Sequence, residues 1–104
     1  MTNLHFIAQY IFEHPGKTRY NEIIRNLMLW KGFRVEEIAN IGGQYSHYLT
    51  VGYIHTSSSG KTYRVGGYKN ILWKKIDENN RQSGFKLTEA GMVKAKEAIE
   101  MEKR

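Results

Sequence analysis

Phe85-Lys86-Leu87-Thr88-Glu89-Ala90-Gly91 is the stretch in which a predicted strand gives way to a predicted helix. Residues 85–87 are the closing arm of a hairpin, because a polar loop ending in glycine precedes them. Thr88 is the predicted N-cap, and Glu89 lies where a negative charge favours the positive end of the helix dipole. The side chains expected to face the core from this helix are Met92, Ala95, Ala98 and Ile99.

Two hairpins are predicted upstream of this helix. Residues 53–56 and 62–65 are rich in β-branched and aromatic side chains, and they flank the polar turn 57–61. Residues 71–76 are expected to pair with residues 85–87 across a polar loop that contains adjacent asparagines. Each hairpin carries basic side chains at its tip or edges.

The first half of the chain is predicted to be helical. Apolar residues at helical spacing predict a helix over about 3–13, which Pro15 ends by steering the preceding residue out of the α region. Thr18 is expected to cap a second helix that ends near Lys31. The apolar stripe of this second helix is Tyr20, Ile23, Ile24, Leu27 and Met28.

Size and composition predict one folded domain over residues 1–104. Hydrophobic residues make up 40% and charged residues 25% of the 104, which is typical of a folded protein with one core. There is no cysteine, so a disulfide framework and a thiolate zinc site are both excluded. No stretch approaches the roughly 20 apolar residues that span a bilayer, and no secretory leader is recognisable. We therefore expect a cytoplasmic protein without membrane contact.

The net charge of +6 is concentrated in one segment. Residues 1–60 hold five basic and four acidic side chains, whereas residues 61–86 hold seven basic and two acidic ones. The remainder, residues 87–104, has four of each and is neutral. A surplus confined to 26 residues indicates a surface that faces a polyanion, although a solvated sheet face is the alternative.

Three segments resemble winged-helix regulators of bacteria and phages. The stretch 85–91 is similar to the join between the last wing strand and the following helix, where Leu-Thr precedes an acid and a glycine. Residues 14–23 look like the join between the first two helices of that family. Residues 48–54 are similar to the passage from the recognition helix into the first wing strand. The resemblance implies an α+β winged helix, with three helices, a small antiparallel hairpin sheet and a C-terminal helix.

Two features depart from the family pattern. The family usually has one wing, whereas the hairpins 53–65 and 71–87 both qualify here. Residues 32–43 look like an insertion, so the recognition helix is either the short helix 34–41 or the one at 44–51. The sequence leaves both choices open.

The resemblance also implies which residues contact nucleic acid. The segment from Gln44 to Thr50 would enter the major groove and offer hydrogen-bonding groups to base edges, unless its aromatic residues belong to the core. Basic side chains of segment 61–86 would contact phosphates. The candidate residues are Gln44, Tyr45, Ser46, His47, Thr50, Lys61, Arg64, Lys69, Lys74, Lys75, Arg81 and Lys86.

No catalytic or metal-binding pattern is recognisable. Lys61-Thr62 follows a glycine as in a phosphate loop, but position 55 is histidine where that motif needs glycine, and a strand is predicted after it. The four histidines show no metal-ligand spacing, and Glu36 and Glu37 are adjacent, so they point to different sides of a helix. We expect no enzyme, no cofactor and no bound metal.

Three functions fit these features. A DNA-binding regulator that recognises duplex DNA, of the kind found in phages or mobile elements, is the leading hypothesis; a homodimer is possible, with the first or last helix as its seam. The second is a protein-interaction module or inhibitor whose basic face docks an acidic protein. The third is binding of single strands or RNA, in which Tyr63 and Tyr68 stack unpaired bases.

Most aromatic residues, including Trp30 and Trp73, are expected to fill the core.

Overall fold

The protein is an α+β fold of four α-helices and two separate antiparallel hairpins, within the residues 1–103 that a computed structural model describes. This confirms the α+β part of the predicted fold class. No helix in that range combines the length and the apolarity needed to cross a membrane. In chain order the elements are α1 (Asn3–Glu13), α2 (Tyr20–Trp30), α3 (Val35–Ile41), a 3₁₀ helix (Gly42–Leu49), β1 (Gly52–Thr56), β2 (Thr62–Gly66), β3 (Trp73–Lys75), β4 (Phe85–Leu87) and α4 (Glu89–Glu102).

The core lies between α1, α2, α4 and the inner face of β3 and β4. Helix α1 packs chiefly along α4 and also contacts α2 and β4. The predicted stripe of α2 is buried except for Tyr20, which is 40% exposed at the start of the helix. The residues with no exposed surface are Ile7, Ala8, Ile23, Leu27, Met28, Trp73, Ala95 and Ala98.

The two tryptophans have different environments. Trp73 is completely buried, and its indole N–H donates a 3.0 Å hydrogen bond to the carbonyl oxygen of Tyr48. Trp30 is 42% exposed and stacks on Phe6 with ring centroids 4.8 Å apart. The expectation of a core role is therefore right for Trp73 and wrong for Trp30, because Trp30 ends α2 and lies beyond the last buried turn.

Thr18 does not cap α2 as predicted. The N-cap residue is Arg19, which makes no side-chain capping bond, and the helix begins at Tyr20. The Thr18 hydroxyl instead donates to the carbonyl oxygen of Phe85 at 2.7 Å and accepts from its N–H at 3.0 Å. The Phe85 N–H also donates to the Thr18 carbonyl at 2.9 Å. Thr18 is 2% exposed, so this side chain serves the tertiary fold and joins the α1–α2 connection to β4.

The start of α4 agrees with the sequence prediction. The Thr88 hydroxyl accepts from the N–H of Gly91 at 3.2 Å and donates to the carbonyl oxygen of Ile71 at 2.7 Å. A β-carbon at Gly91 would overlap the carbonyl oxygen of Leu72, so only glycine allows this approach. Of the four predicted core positions of α4, Ala95 and Ala98 are buried, and the other two are partly exposed.

A polar contact also joins α1 to α4. His5 is buried, and its Nδ1 accepts a hydrogen bond from the N–H of Thr2 at 3.3 Å, as part of a capping box. Its Nε2 lies 3.1 Å from a carboxylate oxygen of Glu97. The hydrogen bond from His5, followed by the charge of Lys94, lowers the pKa of the Glu97 carboxyl.

Replacing Thr18 with valine should destabilise the protein. The change keeps the shape of the side chain but removes its two hydrogen bonds to β4, which predicts a loss of about 1–3 kcal/mol in the free energy of unfolding. Urea unfolding followed by circular dichroism measures this loss. Thr56→Val, on an exposed strand position, is the matched control and should change stability by less than about 0.5 kcal/mol. Equal stability of the two variants would contradict the assigned role of Thr18.

The Glu97 contact should make stability depend on pH. Because its pKa is lower in the folded than in the unfolded chain, the ionised carboxylate stabilises the fold above its ordinary pKa of about 4.3. This stabilisation is lost as the pH falls through the lowered pKa of the folded state. Glu97→Gln should therefore be less stable than the natural protein at pH 7 and equally stable at the acid end of a urea series. A difference that stays constant with pH would rule out this linkage.

Candidate nucleic-acid interface

The hairpin formed by β1 and β2, residues 52–66, projects from the body of the protein. Nine of its ten strand residues are exposed, and only Gly52 is buried. The register pairs Gly52 with Gly66 at the base and Thr56 with Thr62 near the turn. The turn is closed by a 2.7 Å hydrogen bond from the N–H of Ser57 to the carbonyl oxygen of Lys61. We call this element the projecting hairpin.

Close backbone packing fixes the base of the projecting hairpin. A β-carbon at Gly52 would overlap the carbonyl oxygen of Gly67, and Gly66 has a φ of 81°, which favours glycine. The N–H of Gly52 donates to the carbonyl oxygen of Lys69 at 3.0 Å, and the N–H of Gly67 donates to that of Val51 at 3.1 Å. The base of the hairpin is therefore held where two backbone segments, 51–52 and 66–69, pack closely together.

A column of stacked side chains joins the projecting hairpin to the 3₁₀ helix. The Arg64 guanidinium lies 4.2 Å from the ring centroid of Tyr68, and Tyr68 stacks on Tyr48 at 6.2 Å. The next ring, His47, lies 4.1 Å from Tyr48. Two predicted site residues, His47 and Arg64, thus stand at the ends of one aromatic column. Tyr68, which the sequence offered as a base-stacking residue, is half-buried inside it.

The predicted helix 44–51 is a 3₁₀ helix that ends at Leu49, which is buried. Side-chain hydroxyl groups in this segment compete with backbone N–H groups for the carbonyl oxygens that an α-helix would use. The Ser46 hydroxyl donates to the carbonyl oxygen of Gly43 at 2.8 Å. The Thr50 hydroxyl does the same to the carbonyl of His47 at 2.8 Å. Of the predicted base-contacting residues, Gln44, His47 and Thr50 are exposed. The other two, Tyr45 and Ser46, are half-buried.

The outer face of β3 and β4 carries two lysines directly opposite each other. Lys74 and Lys86 are register partners and both are exposed, while Trp73 and Phe85 point into the core from the same strands. Like charges directly opposite each other in a sheet repel and destabilise the pairing. Neither lysine forms an ion pair with an acidic side chain among residues 1–103. The pair is therefore uncompensated within the described chain.

Two other predicted phosphate-contacting lysines make contacts within the protein. The ammonium group of Lys69 lies 3.2 Å from a carboxylate oxygen of Glu78, and the Lys69 side chain is only 18% exposed. Lys75 donates to the carbonyl oxygens of Asn80 and Arg81, at 3.4 and 2.9 Å, from a position over the Phe85 ring. Both lysines hold the loop between β3 and β4. The predicted basic residues left on the surface are Lys61, Arg64, Lys74, Arg81 and Lys86.

Arg81 shares a groove with the start of α2. The groove has a volume of about 390 Å³. Arg19 and Arg81 line it together with one acidic residue, Glu22, and with Tyr20, Asn21 and Gln82. Arg19 was not among the predicted site residues. Sequence reasoning missed it because the basic surplus was counted along the chain, and Arg19 lies outside segment 61–86. The fold brings it to the loop that follows β3.

The chain has no acidic residue between Glu37 and Asp77, a stretch that contains five basic residues. This stretch forms the 3₁₀ helix, the projecting hairpin and β3. The positive potential of this region is therefore offset only by acids from other segments, such as Glu78 beside Lys69. The absence of acids is visible in the sequence and is a sharper signal than the net charge alone.

Other kinds of site have little support in the described chain. Among residues 1–103, no group of three or more histidine, aspartate or glutamate side chains is placed to hold a metal ion. Thr62 begins β2, as predicted, so no helix N-terminus follows Lys61 as a phosphate loop requires. The chain matches no protein family model, no characterised protein and no solved structure. Its function has to be inferred from the residues themselves.

Replacing Lys86 with glutamate should stabilise the isolated protein. The change converts a repulsive cross-strand pair into an attractive one, and we expect a gain of about 0.2–1 kcal/mol in the free energy of unfolding at low salt. Urea unfolding measures the gain, and added salt should reduce it. Lys86→Gln removes the repulsion without adding attraction and should fall between the two proteins. No gain at low salt would mean that Lys74 and Lys86 do not repel each other.

Proposed function

We propose that the protein binds double-stranded DNA without catalysing a reaction, and that the outer face of β3 and β4 contacts the phosphate backbone. The observation that carries this proposal is the exposed, uncompensated pair of Lys74 and Lys86. Such a pair of like charges costs stability in the free protein, and a bound ligand of opposite charge would relieve the repulsion. The regular array of phosphates on a duplex is such a ligand.

Further basic groups extend this surface beyond the lysine pair. Arg19 and Arg81 line one groove between the start of α2 and the loop after β3. Lys61 stands beside the turn of the projecting hairpin. We propose three or four simultaneous phosphate contacts, which give a slope of about −3 in log affinity against log salt.

We further propose that the fold is a winged helix with the loop between β3 and β4 as its wing. The support is the link between Thr18 and Phe85, which adds a short extended segment to β3 and β4 beside three helices. Such a small sheet, packed on helices and followed by α4, is the arrangement that the sequence resemblance implies. On this proposal the projecting hairpin is an addition to the winged-helix plan.

The 3₁₀ helix is the better candidate for contacting bases. Helix α3 carries Glu36 and Glu37 in its first turn, and two carboxylates near phosphates would oppose binding. The 3₁₀ helix has no acidic residue and exposes Gln44 and His47, which offer hydrogen-bonding groups to base edges. Because neither side chain carries a permanent charge, we propose that this segment supplies selectivity and that the lysines supply affinity.

Removing both lysines should weaken DNA binding and its dependence on salt. For Lys74→Ala with Lys86→Ala, we expect the slope of log affinity against log salt to become less negative by about 2, because two phosphate contacts are lost. A fluorescence-polarisation titration of a labelled random duplex at several salt concentrations measures both quantities. Lys96→Ala, on the exposed side of α4, is the matched control and should leave both unchanged.

Two results would reject the proposed function. One is no binding of the natural protein to duplex DNA at low salt. The other is binding whose salt dependence is the same in the double lysine variant and the control. If the natural protein instead co-purifies with a stoichiometric acidic protein through the same two lysines, the basic face is a protein-docking surface.

A further inference from the structure

One face of the projecting hairpin is lined by aromatic side chains. Residues alternate between the two faces of a strand, and the register places Tyr53 opposite Val65 and His55 opposite Tyr63. These four side chains therefore share one face. The opposite face holds Ile54 and Arg64, with the hairpin threonines.

The aromatic side chains of this face contact each other and lie outside the hydrophobic core. The rings of His55 and Tyr63 are stacked, with centroids 5.9 Å apart and an interplanar angle of 26°. The rings of Tyr53 and His55 are 6.4 Å apart. Tyr53 is 59% exposed and Tyr63 is 53% exposed, and neither belongs to the core cluster or packs against it. Folding of the body therefore does not explain why these aromatic residues are present.

The charge around this face identifies the kind of ligand. Lys61 is exposed beside the turn, whereas Arg64 lies on the opposite face and is held against Tyr68. The hairpin has no acidic residue, since none occurs between Glu37 and Asp77. Exposed aromatic rings on a hairpin that carries cations and no carboxylate suit single-stranded nucleic acid, because bases stack on the rings while cations contact the backbone.

We propose that the aromatic face of Tyr53, His55 and Tyr63 binds unpaired nucleotides by base stacking, so that the preferred ligand is a duplex with an adjoining single strand. This inference rests on the proposed function, in which β3 and β4 hold the duplex. The faces of paired bases are covered by their neighbours in a duplex, and only an unpaired base presents a face to an aromatic ring. Each stacked base should raise the affinity by roughly five- to a hundredfold.

The test compares three labelled DNA probes by fluorescence polarisation at one salt concentration. They are a blunt duplex, the same duplex with a short single-stranded extension, and the single strand alone. The natural protein should bind the extended duplex at least about fivefold more tightly than the blunt one. Tyr53→Ala with Tyr63→Ala should lose this preference and keep the affinity for the blunt duplex. An RNA extension in a fourth probe shows which kind of unpaired strand is preferred.

Matched variants separate stacking from a general effect on the hairpin. Ile54→Ala changes an equally exposed side chain on the opposite face, and it should keep the preference for the extended duplex. Tyr53→Phe with Tyr63→Phe retains both rings and should also keep it. Circular dichroism checks that each variant is folded, and the two single alanine variants carry the same test if the double variant does not fold.

Several outcomes would overturn the inference. Equal affinity for blunt and extended duplexes in the natural protein would reject the stacking face and leave duplex binding intact. Failure to bind any probe would reject the proposed function together with this inference. If Tyr53→Ala with Tyr63→Ala converts a dimer to a monomer in sedimentation equilibrium and leaves probe preference unchanged, the face joins two copies of the chain.

Discussion

The hydrogen bonds between Thr18 and Phe85 fix how the sheet of β3 and β4 is attached to the helices, and the position of the basic face depends on them. They join segments 67 residues apart in sequence, and they are buried. Holding Phe85 in this way fixes which face of β4 points into the core. The orientation of β3 follows, because β3 pairs with β4 in a fixed antiparallel register. Because side chains alternate along a strand, an inward Phe85 requires an outward Lys86. The position of the basic face is therefore a consequence of how the small sheet is attached to the helices.

The structure separates two polar surfaces that the sequence presents as one basic segment. One is the outer face of β3 and β4, which has a rigid backing of core residues such as Trp73. The other is the projecting hairpin, which has no backing of core residues and is held at its base and by the contact of Arg64 with Tyr68. A rigid charged face suits a ligand of regular shape, whereas an exposed aromatic ribbon suits an irregular one. On the proposed function, the two surfaces would contact different parts of one nucleic acid.

Local signals in the sequence predicted most of the helices and strands. The features that these signals did not predict depend on tertiary contacts. The bounds of α1, the first hairpin to within one residue, and the Thr88 cap follow from periodicity, turn residues and capping chemistry. Strand β3 is shorter than the predicted 71–76, because residues 70–72 form a turn. Local spacing favours Thr18 as a helix cap. It does not indicate the actual partner of Thr18, which is Phe85, far along the chain. The 3₁₀ winding at Gly42–Leu49 depends on side-chain bonds such as that of Ser46, which spacing alone does not reveal. For the candidate site, the sequence located the surplus of charge but did not show that Lys69 and Lys75 are engaged within the protein.

The attachment of the projecting hairpin makes it a separable module. Gly52 and Gly66 face each other as register partners, so the chain enters and leaves the hairpin at nearly the same point. Residues 53–65 contribute nothing to the core cluster, and the contact of Arg64 with Tyr68 links them to a residue that packs against it. A change of side chains on the hairpin would therefore alter its exposed faces and leave the residues of the core cluster unchanged.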